Sequence, residues 1–153
     1  MQLFVAFWFI VFVLFFGLFP FWIIYRISDF VYFILYKLFN YRKDVISKNL
    51  KKAFPAKTEQ ELKLIKSAVY HNLTDIIIEG LKAFTMRRKQ FLTRHRIINP
   101  EILQPIYDSG KSIIGVTGHY CNWEWGSLSS SLQTHYDVVA FYKPLSNKWI
   151  DRF

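Results

Sequence analysis

The sequence predicts an α/β protein built in unequal parts: an N-terminal transmembrane helix, a helical region, and then a first strand–helix–strand unit. Three observations carry this. Leu3 to Ile24 holds no charged residue. A long stretch after Thr58 keeps apolar side chains at helical spacing. Two apolar, β-branched runs, Ser112–Thr117 and Asp137–Tyr142, flank a segment of helical character.

The first of these explains the composition. Hydrophobic residues make up 52% of the 153 residues and aromatic ones 20%, and much of that excess sits in the first forty positions. An uncharged run of 22 residues from Leu3 to Ile24 is long enough to span a hydrocarbon core of ~30 Å, and a membrane helix tolerates a kink such as Pro20. A cleaved signal peptide fits less well, because no basic residues precede the run and no small-residue cleavage site follows it. The nearest positive charges, Arg26, Lys37, Arg42, Lys43, Lys48, Lys51 and Lys52, all come after it. By the positive-inside rule the bulk of the chain faces the cytoplasm. The expected division is a membrane anchor over residues 1–25, interfacial and basic amphipathic helices over 26–56, and the first part of the α/β domain over 57–153.

Charge is distributed unevenly. Residues 26–96 carry 16 Lys+Arg against 6 Asp+Glu, whereas residues 97–153 carry 4 against 5. A basic belt beside an apolar segment suits anionic lipid headgroups or an acidic partner. No nucleic-acid-reading motif accompanies it. Cys121 is the single cysteine, so no internal disulfide and no cysteine cluster for a metal can form.

Along the chain, Ile27–Tyr41 reads as an aromatic interfacial helix with Tyr32, Tyr36 and Tyr41 at headgroup level. Arg42–Lys52 reads as a basic amphipathic helix whose Val45, Ile46, Asn49, Leu50 and Ala53 share a side, ending before Pro55. Thr58 with Glu61 forms a capping-box signature. Behind it Leu62, Ile65, Val69, Leu73, Ile76, Ile77, Leu81 and Phe84 predict one packed helix. His71, Asn72 and Asp75 lie within it, either as rim polar groups or facing a groove. A basic connector, Arg87-Arg88-Lys89 and Arg94-His95-Arg96, follows. Asn99-Pro100 then opens a helix that runs to about Ser109, stops at Gly110 and is interrupted by an awkward Pro105.

The segment Ser112–Gly126 is where chemistry collects. An apolar strand, a Gly118-His119 turn and a helix beginning near Asn122 put His119 at the carboxyl end of a strand, the edge at which open α/β sheets bind ligands. With a crossover helix over Asn122–Gln133 and a second strand at Asp137–Tyr142, this is a βαβ unit with parallel strands. Two strands do not complete a parallel sheet, so the chain reads as part of a longer enzyme or as a truncated product. Taken alone, His119 and Glu124 also fit a turn histidine and a surface glutamate.

The stretch Gly118-His119-Tyr120-Cys121-Asn122-Trp123-Glu124-Trp125-Gly126 resembles the bacterial lipid A late acyltransferases (lauroyl/myristoyl acyltransferases) of the lysophospholipid acyltransferase superfamily. That superfamily's signature is a His, four residues, then Asp or Glu, and this branch adds Asn-Trp-Glu. Tyr142-Lys143-Pro144-Leu145 with Asn147 and Asp151 is similar to the family's segment after its second strand. Ser28-Asp29-Phe30, Tyr41-Arg42 and Lys48-Asn49-Leu50 through Phe54-Pro55 are similar to its amino-terminal part. Cys121 and Lys143 depart from the usual residues. Family chains are much longer, and their downstream Arg and Asp positions have no counterpart here.

The resemblance implies the N-terminal half of a glycerol-3-phosphate-acyltransferase-like α/β domain at the cytoplasmic side of a bacterial inner membrane. It implies O-acyl transfer from an acyl carrier protein thioester, or from acyl-CoA, to a hydroxyl of a lipid A precursor. A lysophospholipid or aminolipid acceptor is the near alternative, and a non-catalytic fragment binding anionic lipid is the alternative of another class. His119 would be the general base and Glu124 its partner, with Asn122, Tyr142, Lys143 and Asn147 as substrate-binding candidates. No metal or resident cofactor is called for. Cys121 as an acyl-carrying nucleophile is the mechanistic rival.

Overall fold

The computed structural model describes all 153 residues, and every regular element in it is helical. The helices are α1 (Gln2–Gly17), α2 (Phe21–Tyr32), α3 (Lys43–Ala53), α4 (Glu59–Ala83), α5 (Arg88–Arg94), α6 (Gln104–Asp108), α7 (Trp123–Gln133) and α8 (Lys148–Asp151). A π-helical stretch, Phe33–Leu38, continues α2, and a 3₁₀ turn, Pro100–Leu103, precedes α6. The chain divides into two compact units, Phe19–Glu79 and Met1–Leu18 with Gly80–Phe153.

The uncharged N-terminal run does not become one helix, which corrects the expected transmembrane anchor over residues 1–25. α1 ends at Gly17, and Pro20, in extended conformation, starts α2. Proline supplies no backbone donor and clashes with the preceding turn, so a new helix begins where the first would have continued. At 1.5 Å per residue a helix of this length reaches only about 24 Å, short of the ~30 Å core. No helix of the chain is long and apolar enough to cross a membrane.

The unit over residues 19–79 is built on a polar seam. On α2, Tyr25, Ser28 and Tyr32 recur at helical spacing and meet Glu79, Asp75 and Ser67 running the opposite way along α4. Tyr25 donates to Glu79 Oε1 at 2.6 Å, Ser28 donates to Asp75 Oδ1 at 2.6 Å, and the Tyr32 and Ser67 hydroxyls share a bond at 2.8 Å. His71 stacks on Tyr32 with ring centroids 3.6 Å apart, and its Nδ1 stands 4.0 Å from Asp29. Asp75 and His71 therefore hold α2 to α4. The deepest line on α4 is Tyr70, Thr74, Ile78 and Lys82, a strict four-residue row. The expected stripe lies beside it: Ile65, Val69, Leu73 and Ile76 are half-buried and Ile77 is exposed. The buried Tyr70 hydroxyl donates to the Tyr41 carbonyl, and burial raises its pKa.

The capping box forms as expected. Thr58 N–H donates to Glu61 at 2.8 Å, and Glu61 N–H donates to Thr58 Oγ1 at 3.3 Å. Hydrogen bonds from Lys57 and Thr58 hold the Glu61 carboxyl at a pKa of about 2.

In the other unit, α1 buries Ala6, Val13 and Phe16. The buried Lys82 ammonium donates to the Gly17 carbonyl at the end of α1, and desolvation pushes its pKa down. A Cβ on Gly17 would come within 2.5–2.7 Å of Thr85, so only glycine permits this approach. Phe84 lies edge-on to Phe9 at 5.9 Å and stacks on Phe153 at 5.6 Å. The expected Pro105 difficulty is resolved by a break. The chain makes a 3₁₀ turn and restarts as α6 with Pro105 in its first turn, where no donor is missed.

The βαβ expectation is also corrected: the structure has no strand. The crossover helix is present as α7, but Ser112–Thr117 and Asp137–Tyr142 carry no ladder. Ile114 and Val116 are each 92% exposed and Phe141 101%. A strand's backbone groups are satisfied only by a neighbouring strand. These two runs have no such neighbour, so their β propensity is not realised.

Candidate active site at the start of α7

α7 begins where the sequence places a helix, because Asn122 caps it. Its Oδ1 accepts from the Trp125 N–H at 3.0 Å, satisfying one of the donors a helix leaves open at its first turn. Just before the cap, Cys121 takes a left-handed conformation with φ 48°, which turns the chain sharply from the exposed Gly118–Tyr120 segment into the helix. Cys121 is a free, exposed thiol.

His119 and Glu124 lie on either side of this turn and are not bonded to each other. The His119 ring packs on Trp123, centroids 4.5 Å apart, and is exposed. Glu124, in the first turn of α7, is half-buried, with Oε2 2.9 Å from where a Cβ on Gly80 would stand. The glycine at position 80 thus gives the carboxylate its room against α4. Trp125, 4% exposed, is the anchor of α7 and meets the buried Phe91 of α5 edge-on at 6.4 Å.

The remaining candidates gather at α8. Asn147 caps that short helix, accepting from Trp149 N–H at 3.0 Å and Ile150 N–H at 3.4 Å, and its own amide donates to the Gln2 carbonyl at 2.9 Å. Asp151 accepts from Leu145 N–H at 2.8 Å and from the Tyr142 hydroxyl at 3.5 Å. Lys143 is exposed. The structure therefore joins Tyr142 and Asn147 through the turn before α8 and leaves both apart from the His119 turn.

Sequence reasoning passed over His95 and Gln133. His95 Nδ1 lies 2.6 Å from the buried Ser129 hydroxyl, and Gln133 donates to the His95 carbonyl at 3.1 Å while accepting from Ile97 N–H at 2.9 Å. These contacts fix the register of α7, and hence of Glu124, against the chain after α5. His95 sits between two arginines, and a charged run hides one inward-facing ring. The available sequence signal was its spacing from Phe91, one helical turn earlier.

Cavities of about 500 and 240 Å³ are lined by residues between 36 and 66, and by residues 100–107 with 133–136. Neither includes His119 or Glu124 in its lining. No three His, Cys, Asp or Glu side chains converge as a metal site would require.

No curated protein and no solved structure matches the chain. A sequence model of one family, described as bacterial lipid A biosynthesis acyltransferase, matches residues 1–153, the whole length that carries the His119 turn, α7 and the segment around α8. The chain belongs to the bacterial lipid A biosynthesis acyltransferase family.

Proposed function

We propose that the chain contributes the base of an O-acyl transfer from an acyl carrier protein thioester to a hydroxyl of a lipid A precursor, with His119 as general base and Glu124 as its partner. The observation that carries the reading is the family match over residues 1–153, with the His119–Glu124 pair bracketing the capped start of α7. A hydroxyl is a poor nucleophile until its proton is taken, and a neutral imidazole is available for this near pH 7. His119 removes that proton as the oxygen bonds to the thioester carbonyl carbon. The tetrahedral intermediate then expels the thiolate, which takes the proton back from the imidazolium. No protein nucleophile is needed. Glu124 holds the second ring N–H and stabilises the imidazolium, following the logic of a His–carboxylate pair. The backbone donors and dipole at the start of α7 favour the negative charge that develops beside it.

The reading requires the exposed Gly118–Tyr120 turn to swing its imidazole onto the Glu124 carboxylate when substrate binds. Catalytic hydrogen bonds are commonly loose before substrate is present. Lys143, Tyr142 and Asn147 are assigned to substrate contact, and the acidic carrier protein is assigned to the basic region between Arg42 and Arg96. The inner membrane's cytoplasmic face is the proposed location. Support for it is the apolar surface of α1, where Phe4, Phe7, Trp8, Phe12 and Phe15 are all exposed, a patch of the kind that marks a protein or membrane contact.

The test is transfer of a labelled acyl group from carrier protein to precursor, for the chain and for His119→Ala, Glu124→Gln and Cys121→Ala. Loss with the first two and retention with the third supports the assignment. Transfer that survives His119→Ala, or is abolished by Cys121→Ala, removes it.

A further inference from the structure

The 500 Å³ cavity of the 19–79 unit has neither His119 nor Glu124 in its lining, and lysine is the commonest residue there. Lys43 and Lys51 come from α3, Lys63 and Lys66 from α4, and Lys37 from the π-helical stretch; Glu59 is the only carboxylate among them. Helical spacing explains the convergence. Positions 43, 47 and 51 share one face of α3, positions 59, 63 and 66 share one face of α4, and those faces meet. Buried Leu50 and Leu62 make the floor. Two of the five ammonium groups are already held in place: Lys51 by Glu59 at 2.6 Å and Lys66 by the Ser47 hydroxyl at 2.8 Å. No ion pair engages Lys37, Lys43 or Lys63. Asn40 and Gln60 add neutral donors at the wall.

Five lysines against one carboxylate leave a surplus of positive charge around one concavity, and those like charges repel one another. A compact, multiply charged anion relieves that repulsion, and lysine serves phosphate well as a point charge. A cavity of this size matches a small ligand or headgroup. We infer that this lysine-lined cavity between α3 and α4 is a binding site for a phosphate-bearing group, either a soluble phosphate ester or the phosphate of a lipid headgroup. The inference does not depend on the assignment of His119.

The experiment uses the full chain in neutral-detergent micelles. Inorganic phosphate and glycerol 3-phosphate are titrated calorimetrically, and phosphatidic acid is titrated in mixed micelles against phosphatidylcholine alone. The variant pair Lys43→Gln/Lys63→Gln removes two cavity charges without touching the bonds that hold Lys51 and Lys66. The pair Lys48→Gln/Lys52→Gln removes two charges from the same helix outside the cavity, so net charge falls equally. We expect saturable binding that weakens at least about tenfold in the cavity pair, the size of one lost charge-assisted hydrogen bond, and changes less than about twofold in the control pair. Saturation by the soluble anions identifies a free ester as the source. Saturation by phosphatidic acid alone identifies a headgroup. Absence of binding by every phosphate probe, equal loss in the two variant pairs, or binding of polyglutamate in place of phosphate overturns the site.

Discussion

The seam between α2 and α4 and the turn around His119 both carry polar side chains and are built in opposite ways. In the seam each polar group on one helix meets a partner on the other, so Tyr25, Ser28 and Tyr32 are bonded before any ligand arrives. At the turn His119 is exposed beside Trp123, and Glu124 rests against Gly80 without bonding to His119. Satisfied groups rigidify a scaffold, while open ones are available to a substrate. The contrast predicts that substitutions in the first region act on stability and those in the second act on rate.

The largest effect expected is on catalysis. His119→Ala should lower acyl transfer by about 10²–10⁴-fold, the usual worth of a general base, with the melting temperature unmoved because the ring is exposed. A melting temperature that falls in step with activity would instead make His119 structural. Next in size is Asp75→Ala, which strands the buried Ser28 hydroxyl and should cost about 1–3 kcal/mol in urea denaturation. Adding Ser28→Ala should recover part of that loss, since the orphaned donor is then gone. A double mutant no better than the single would show that the seam is not held by this bond. Gly17→Ala should cost a similar 1–3 kcal/mol through its clash with Thr85, read as earlier thermal unfolding.

Asn122→Ala tests the boundary between the two regions. Loss of the α7 cap should cost about 1 kcal/mol and, by loosening the helix that carries Glu124, should also slow transfer. A stability loss with an unchanged rate would separate the cap from the site. The smallest effect is in acid. The Glu61 carboxyl has its folded pKa depressed to about 2, so its contribution is present above the unfolded value of ~4.3 and is lost as pH falls through the folded one. Protection factors of the amides at the start of α4 should therefore fall as pH drops between those values, and Glu61→Gln should flatten that dependence.

What was legible in the sequence follows from how local each signal is. The Thr58–Glu61 box and the apolar spacing behind it specify α4 without reference to any distant residue. Asn122 does the same for α7. The division of the N-terminal run was less legible, since its uninterrupted hydrophobicity outweighed the one residue, Pro20, at which the helix restarts. The strands were read from β-branched runs, yet a strand's hydrogen bonds belong half to its neighbour. No neighbour pairs with Ile113–Thr117 or Asp137–Tyr142, so propensity alone could not make them strands. The site was legible as a motif and not as a geometry, because the spacing of His119 and Glu124 does not specify which way a turn points each side chain.

The sequence by itself determined α4 and α7 with the residues that begin them, the basic surplus of the first two thirds and the motif that marks the family, all of them properties of neighbouring residues. Only the tertiary structure decided that α4 turns Tyr70, Thr74, Ile78 and Lys82 inward, that Asp75 and His71 serve a helix seam, and that five lysines face one cavity. Those outcomes depend on which helix faces meet, and residues far apart in the chain determine that together.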